Sequence, residues 1–271
     1  MFFDKLEFIW NNITREARIM SECEPILASF YHATLLKHIN LSSAQSYILS
    51  HKLSSSIMSA INIHDILKEA YTDDISIVFS SAYDILAVLQ RDPAVNKYSI
   101  PLLYLKGFQA LQSYRISHWL WNKGRYSLAV YLQNQISASF GVDIHPAAKI
   151  GHGIMLDHAT GIVIGETAVV ENDVSILQSV TLGGTGKIKG DRHPKIRKGV
   201  MIGAGAKVLG NIEIGKCAKI GAGSVVLKNV PPNTTAAGIP ARIIGKSGSK
   251  TPSMEMDQYF NSSGFQLGDG I

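Results

Sequence analysis

Aromatic residues are missing from almost half of this 271-residue chain. No Phe, Tyr or Trp occurs between Phe140 and Tyr259, whereas 22 of the 24 glycines follow Phe140. A segment without rings cannot build an aromatic core, and it offers no side chain on which a nucleic-acid base would stack. The composition therefore divides the chain at Phe140 and argues against nucleic-acid binding, despite the formal net charge of +5.

Cysteine and long apolar runs are also scarce. The two cysteines, Cys23 and Cys217, have no metal-binding or redox spacing, which predicts structural thiols in a reducing compartment. The most apolar stretch, residues 101–140, is interrupted by lysines and arginines, so it contains no apolar span long enough for a bilayer. The first residues lack the basic and then apolar order of a secretory signal. We therefore predict a cytoplasmic protein without a membrane segment.

An aliphatic residue or alanine returns at every sixth position in the aromatic-free part. This period fits neither a helix nor simple strand alternation, but it is typical of a parallel β-helix in which each hexad forms a short strand and a turn. Three hexads complete one coil, and the repeated residue points into the axis. The sequence predicts an α+β protein with a left-handed parallel β-helix over residues 141–246. The repeated residues are Ile144, Ile150, Leu156, Ile162, Ala168, Val174, Val180, Ile196, Ile202, Val208, Ile214, Ile220 and Val226.

Residues 1–140 show helical periodicity instead. Apolar residues from Leu6 to Ile13 recur at i, i+3, i+4 and i+7, which predicts an amphipathic helix in an α-helical N-terminal domain. The dipeptide Asp92-Pro93 follows another apolar helical stretch. Its simplest interpretation is an N-cap with proline in the first turn of the next helix.

The hexad series is interrupted between Val180 and Ile196. Fifteen residues stand where a regular hexad leaves five, so we predict that about ten residues leave the coil as a loop over 181–195. The loop contains Arg192 and His193 within a basic run. A solvated surface loop is one interpretation of this run. The other interpretation is a binding site for a phosphate or carboxylate ligand, with Arg192 as the bidentate donor.

Polar residues interrupt the repeat near its start. Asp143 and His158 are separated by slightly less than one coil of the repeat, which places them on adjacent coils near one edge of the predicted β-helix. His145 and Asp157 stand close to them in sequence. An aspartate that accepts the imidazole N–H would fix the histidine tautomer and stabilise the imidazolium, as a general base requires. A single histidine in such a position is more often an ordinary surface residue.

Several segments together resemble the bacterial serine O-acetyltransferases, a family of hexapeptide-repeat acyltransferases. They are Asp-Ile-His-Pro-Ala-Ala-Lys-Ile-Gly, Met-Leu-Asp-His-Ala-Thr-Gly, Gly-Gly-Thr-Gly, Asp-Arg-His-Pro-Lys and the final Gly-Asp-Gly-Ile. The resemblance covers essentially the whole chain. It implies acetyl transfer from acetyl-CoA to the hydroxyl of L-serine, which gives O-acetyl-L-serine for cysteine synthesis. It also implies feedback inhibition by L-cysteine, with acetyl-CoA as a co-substrate and no bound cofactor or metal.

The same resemblance implies roles for particular residues. His158 is the expected general base, Asp143 is its partner, and His193 completes the catalytic site. Arg192 is expected to hold the serine carboxylate, while Asp92 and Asp157 contact the amino group. A zwitterion bound from water needs such compensating charges. The CoA groove is expected at Gly184, Ala204, Lys219 and Ala222.

Assembly and partners follow from the resemblance as further expectations. In the family, trimeric β-helices place sites between subunits, and helical domains join two trimers into a hexamer. Residues 247–271 lose the hexad pattern and are rich in Ser and Gly, which predicts a flexible C-terminal tail. A tail ending in Ile271 is expected to enter the active site of O-acetylserine sulfhydrylase.

Two other classes of function are open to a hexapeptide-repeat chain. A metalloenzyme such as a γ-type carbonic anhydrase needs three metal-binding histidines, and His145, His152, His158 and His193 supply the number but not that family's arrangement. A non-catalytic assembly scaffold would leave the Asp157-His158 and Arg192-His193 pairs without a purpose.

Overall fold

The computed structural model describes residues 2–186 and 189–259 of the chain. The chain divides into two compact units, Met1–Phe140 and Gly141–Ile271. The described part of the first unit is helical, and that of the second consists mainly of short strands. This architecture confirms the predicted fold class.

Helices form the first unit. The apolar face predicted near its start is buried, since Ile9 and Ile13 are fully inaccessible to solvent and Trp10 is nearly so. Within the described residues, no helix is both long and apolar enough to cross a membrane. The α-helices of this unit are α1 (Phe2–Cys23), α2 (Ala28–Tyr31), α3 (Leu41–Leu53), α4 (Ala60–Asp73), α5 (Ser76–Arg91), α6 (Ser99–Tyr104), α7 (Lys106–Asn122) and α8 (Tyr126–Phe140).

The segment between α5 and α6 corrects one interpretation. α5 ends at Arg91 and α6 begins only at Ser99, so Pro93 does not stand in the first turn of a helix. The Asp92 carboxylate accepts a hydrogen bond of 2.9 Å from the backbone N–H of Ala94. Reading Asp92 as an N-cap was wrong, because the same short-range acceptor geometry also stabilises a turn that no helix follows.

The second unit is a parallel β-helix of three sheets, and the chain passes from sheet 1 to sheet 2 to sheet 3 in each coil. Sheet 1 contains β1 (Val142–Ile144), β4 (Ile162–Ile164), β7 (Thr181–Gly183), β10 (Lys207–Leu209) and β13 (Val225–Val226). Sheet 2 contains β2 (Lys149–Ile150), β5 (Val169–Val170), β8 (Lys195–Ile196) and β11 (Glu213–Ile214). Sheet 3 contains β3 (Met155–Leu156), β6 (Ser175–Ile176), β9 (Met201–Ile202), β12 (Lys219–Ile220), β14 (Thr234–Gly238) and β15 (Ala241–Lys246).

Aliphatic side chains fill the interior of the β-helix. In sheet 3, Ile202 pairs with Ile176 on one side and with Ile220 on the other, and all three are fully buried. Every residue of the predicted hexad series except Ile150 is buried. Stacked coils therefore bury what no single short strand could bury alone.

One coil is longer than the hexad period requires. A regular coil is three hexads long, as in the pairing of β10 with β13. Ile144, however, pairs with Ile164 rather than with Ile162, the residue that three hexads would reach. The spacing of six holds from Ile144 to Leu156 within this coil, so two extra residues lie in the turn 157–161.

The second irregularity follows β7. The coil that joins Leu182 to its partner on β10 is longer than three hexads, and eight extra residues leave it in the segment 184–194. Thr181 and Lys195, the predicted ends of the loop, belong to strands. The prediction of a ten-residue insertion was therefore wrong in size, because the two extra residues of the earlier turn had been assigned to this gap.

The first part of the predicted C-terminal tail packs on sheet 3. Residues Pro252–Glu255 form the short helix α9. The Ser175 hydroxyl, fully buried on β6, donates a hydrogen bond of 2.8 Å to the Ser253 carbonyl. This anchoring was not predicted from composition. Ile271, the predicted partner-binding residue, lies outside the described residues.

Candidate active site

His158 stands in the turn that carries two extra residues. This turn, 157–161, joins β3 of sheet 3 to β4 of sheet 1. His158 and Ala159 both have positive φ angles, of 53° and 61°. Such angles are uncommon for residues other than glycine and often accompany functional sites. The His158 side chain is 77% exposed, so the enlarged turn presents its imidazole to solvent.

One carboxylate lies close to this imidazole, and the strand that carries a second lies beside the turn. Asp157 Oδ1 is 3.9 Å from His158 Nε2, and the Asp157 side chain is only 22% exposed. Asp143 lies in the middle of β1, two residues after Gly141. The Gly141 carbonyl accepts a hydrogen bond from the N–H of Gly161, the last residue of the turn. The coil register therefore brings β1 and the His158 turn next to each other.

A second polar cluster lies at the opposite edge of sheet 1, where the chain turns into sheet 2. The strands of sheet 1 are at most three residues long, which corresponds to about 10 Å. Within one chain, this width separates the second cluster from the His158 turn. The cluster consists of His145, Glu166, Thr167, Arg192 and His193.

Arg192 is held by a carboxylate in this cluster. Its guanidinium nitrogen is 2.6 Å from Glu166 Oε2, and the side chains are 27% and 39% exposed. This hydrogen bond holds the pKa of Glu166 below its usual value. Arg192 therefore already faces the type of group that an amino-acid ligand would present to it.

His193 is the most enclosed imidazole of the cluster, with only 7% of its surface exposed. Its Nδ1 lies 2.9 Å from the Thr167 hydroxyl and 3.2 Å from the Thr167 backbone nitrogen. Burial lowers the pKa of His193, and the nearby Arg192 charge lowers it further. Burial likewise lowers the pKa of His145. Both rings are therefore favoured as neutral imidazoles at neutral pH.

Glu166 and Thr167 were not singled out from the sequence. The pairing of Val169 with Lys195 places their turn one coil before Arg192 and His193. Sequence position could have identified them, because residues at one corner of successive coils are neighbours. Such a prediction needs the correct strand register across the insertion that follows β7.

The residues predicted to bind CoA lie in different parts of the β-helix. Ala204 and Ala222 occupy one corner on successive coils, since the Ala204 carbonyl accepts a 2.8 Å hydrogen bond from Gly223 N–H. This is the corner between sheets 3 and 1 to which the His158 turn also belongs. Gly184 lies at the other edge of sheet 1, where a Cβ would stand 3.5 Å from Arg192.

Lys219, the fourth of these residues, lies on β12 and is only 3% exposed. Its ammonium group donates a 3.0 Å hydrogen bond to the carbonyl of Asp257 and another to that of Tyr259. The segment after α9 thus covers Lys219. Asp92 belongs to the other unit of the chain.

The described part of the chain holds neither a cluster of metal ligands nor a disulfide. There, no three His, Cys, Asp or Glu side chains come together as a group able to hold a metal ion. Both cysteines are free thiols: Cys23 is exposed and Cys217 is buried.

Family comparisons agree with this architecture. Residues 9–113 match the family described as serine acetyltransferase, N-terminal, and residues 193–228 match the bacterial transferase hexapeptide family. The chain is 71% identical to a serine acetyltransferase of Salmonella typhimurium over 270 residues, which covers 99% of each chain.

Solved structures give the same result. The crystal structure of serine acetyltransferase from Vibrio cholerae superposes with a TM-score of 0.93 at 64% identity, covering 94% of this chain and 99% of that one. A serine acetyltransferase in complex with cysteine has a TM-score of 0.92 at 63% identity, covering 96% and 100% of the two chains. One in complex with CoA has a TM-score of 0.85 at 65% identity, covering 88% and 100%. The chain belongs to the serine acetyltransferase family.

Proposed function

We propose that this protein transfers the acetyl group of acetyl-CoA to the hydroxyl of L-serine and releases O-acetyl-L-serine and CoA. The observation that carries the proposal is the full-length similarity to serine acetyltransferases, 71% over 99% of both chains. The cysteine and CoA complexes of similar proteins support an amino-acid site and a CoA site. The product would serve L-cysteine synthesis, and L-cysteine would inhibit as an analogue of serine.

His158 is the proposed general base. Its exposed imidazole would accept the proton of the serine hydroxyl while that oxygen attacks the acetyl carbonyl. The tetrahedral intermediate would then collapse, with cleavage of the carbon–sulfur bond and return of the proton from His158 to the CoA thiolate. Asp143, on the strand beside the turn, would stabilise the imidazolium.

Serine recognition is assigned to charges of both signs. The serine carboxylate would compete with Glu166 for the Arg192 guanidinium, which offers a planar pair of donors. The serine ammonium group would be held by Asp157 beside the base and by Asp92 of the helical unit. These roles require the substrate to bind as the zwitterion.

The CoA groove is proposed along the corner that contains Ala204 and Ala222, where small side chains allow an extended ligand to lie against the backbone. Gly184 would contribute at the other edge of sheet 1. Lys219 would contact CoA only after its hydrogen bonds to Asp257 and Tyr259 are released.

The positions of the two clusters support a site shared between copies of the chain. The His158 turn and the Arg192–His193 pair lie at opposite edges of sheet 1. We propose that the first edge of one copy meets the second edge of the next copy in a trimer. The helical units would join two trimers into a hexamer, and the assembly would be cytoplasmic.

O-acetylserine sulfhydrylase would bind the C-terminal Ile271 of this chain. Deleting Ile271 should abolish binding of the purified sulfhydrylase while serine acetylation stays nearly unchanged. Added O-acetylserine should displace the intact chain from the sulfhydrylase. Equal affinity of the truncated and intact chains, measured by titration calorimetry, would exclude this contact.

A direct assay tests the reaction itself. Purified protein is mixed with acetyl-CoA and L-serine, and the released CoA thiol and O-acetylserine are measured together. Threonine and homoserine serve as alternative acceptors. Serine-dependent thiol release is expected; thiol release that is independent of the acceptor would indicate a thioesterase instead.

A further inference from the structure

Thr167 makes several contacts with the second polar cluster. Its hydroxyl oxygen accepts hydrogen bonds from the backbone N–H groups of Arg192, at 2.9 Å, and His193, at 3.1 Å. The same oxygen and the Thr167 backbone nitrogen both contact His193 Nδ1. One residue thus holds the main chain and the ring of the segment that carries the candidate substrate-binding groups.

These contacts determine where the His193 proton resides. A backbone N–H can only donate, so the Nδ1 atom that it contacts must be the unprotonated nitrogen. The neutral ring therefore carries its proton on Nε2. Protonating Nδ1 as well would place two N–H groups against each other, which disfavours the imidazolium.

Packing holds the ring in the same place. A Cβ atom on Gly165 would overlap both Cδ2 and Nε2 of His193, so the ring lies directly against the Gly165 backbone. An alanine cannot be accommodated there without moving the imidazole. Contacts with Gly165 and Thr167 together hold the His193 ring in one orientation.

From this geometry we infer that Thr167 is a positioning residue, which holds His193 as a neutral Nε2–H donor and fixes the main chain of Arg192. The inference rests on the proposed function for its catalytic consequence. A fixed, neutral donor suits the carbonyl oxygen that becomes negative during acyl transfer. It also separates the two histidines: His193 donates, and His158 removes the proton.

The test compares Thr167→Val with Thr167→Ser. Valine keeps the shape but removes the hydroxyl, and serine keeps the hydroxyl. Thr167→Val should lower kcat/KM for serine by about 10- to 100-fold, since displacement of reacting groups by about 1 Å costs this much. Thr167→Ser should stay within about threefold of the wild type, because the acceptor is retained. The KM for acetyl-CoA and the unfolding midpoint serve as controls for general damage.

Nitrogen-15 NMR of the full-length protein provides a readout that does not depend on activity. At neutral pH, His193 should show an unprotonated Nδ1 and a protonated Nε2. Thr167→Val keeps the backbone N–H but removes the hydroxyl that contacts Nδ1, so it should shift the Nδ1 signal while Nε2 stays protonated. A wild-type His193 protonated on Nδ1 would overturn the inference. So would a Thr167→Val protein with unchanged kcat/KM for serine. If serine is not acetylated at all, the proposed function fails while the tautomer is still measured.

Discussion

Individual side chains explain why the candidate roles differ between residues of the same type. His158 and His193 are both histidines of the proposed site, yet the first is 77% exposed in an enlarged turn and the second is 7% exposed against Gly165. The sequence identified both by resemblance. It did not identify Thr167, because the partners of its hydroxyl are distant in sequence and meet it only across a coil boundary.

Arg192→Lys tests the proposed carboxylate site. A lysine keeps the charge but not the planar pair of donors, so the KM for serine and the inhibition constant of L-cysteine should both rise about tenfold or more. Acetyl-CoA affinity should change little. Arg197→Lys is the matched control, because Arg197 pairs with Glu171 and Glu213 instead. Loss of CoA affinity with normal serine kinetics would reassign Arg192 to the other substrate.

The strands show which features of the fold the hexad period predicts and which it misses. It predicted the β-helix correctly, because each row is stabilised only by stacking on the next. One stretch of the predicted row was displaced by two positions, because the register builds this row from Ile164, Val170, Ile176 and Leu182 rather than from Ile162, Ala168, Val174 and Val180. It misjudged the register at one turn, since Ile162 and Ile164 on β4 are both buried and the period alone does not distinguish them. The period therefore did not reveal the two-residue insertion in the turn that presents His158, although this turn belongs to the candidate site.

Ile202→Ala tests the stacking of these rows. Ile202 is fully buried between two other isoleucines, and its truncation should lower the free energy of unfolding by about 2–5 kcal/mol. Ile243→Ala, at a position on β15 that is 49% exposed, should cost about 1 kcal/mol or less. Chemical denaturation of both variants provides the comparison. Similar losses for the two would contradict the assigned interior.

The whole molecule presents two polar clusters at opposite edges of one sheet. This separation follows from the three-sheet topology and could not be read from sequence spacing, which does not show at which edge of a sheet a turn residue lies. A single chain would need a partner copy to bring His158 near Arg192 and His193. The proposed trimer would therefore be needed for catalysis as well as for assembly.

Mixed oligomers test this arrangement. His158→Ala and Arg192→Ala chains should each be nearly inactive when expressed alone. If sites form between copies, co-expression of the two should restore activity in about one quarter of the sites, because each such site takes one residue from each neighbour. Separately tagged chains allow the mixed assembly to be isolated. Activity no higher than that of either parent would place the complete site within one chain.

The central claim is that His158 removes the proton of L-serine during acetyl transfer, and its most direct measurement is the turnover number of His158→Ala. Formation of O-acetylserine and CoA should fall by about 10²- to 10⁴-fold in kcat, with smaller changes in the KM values. His64→Ala, a change to a histidine of the helical unit, is the control and should retain wild-type turnover. Near-normal turnover by a folded His158→Ala protein would contradict the account.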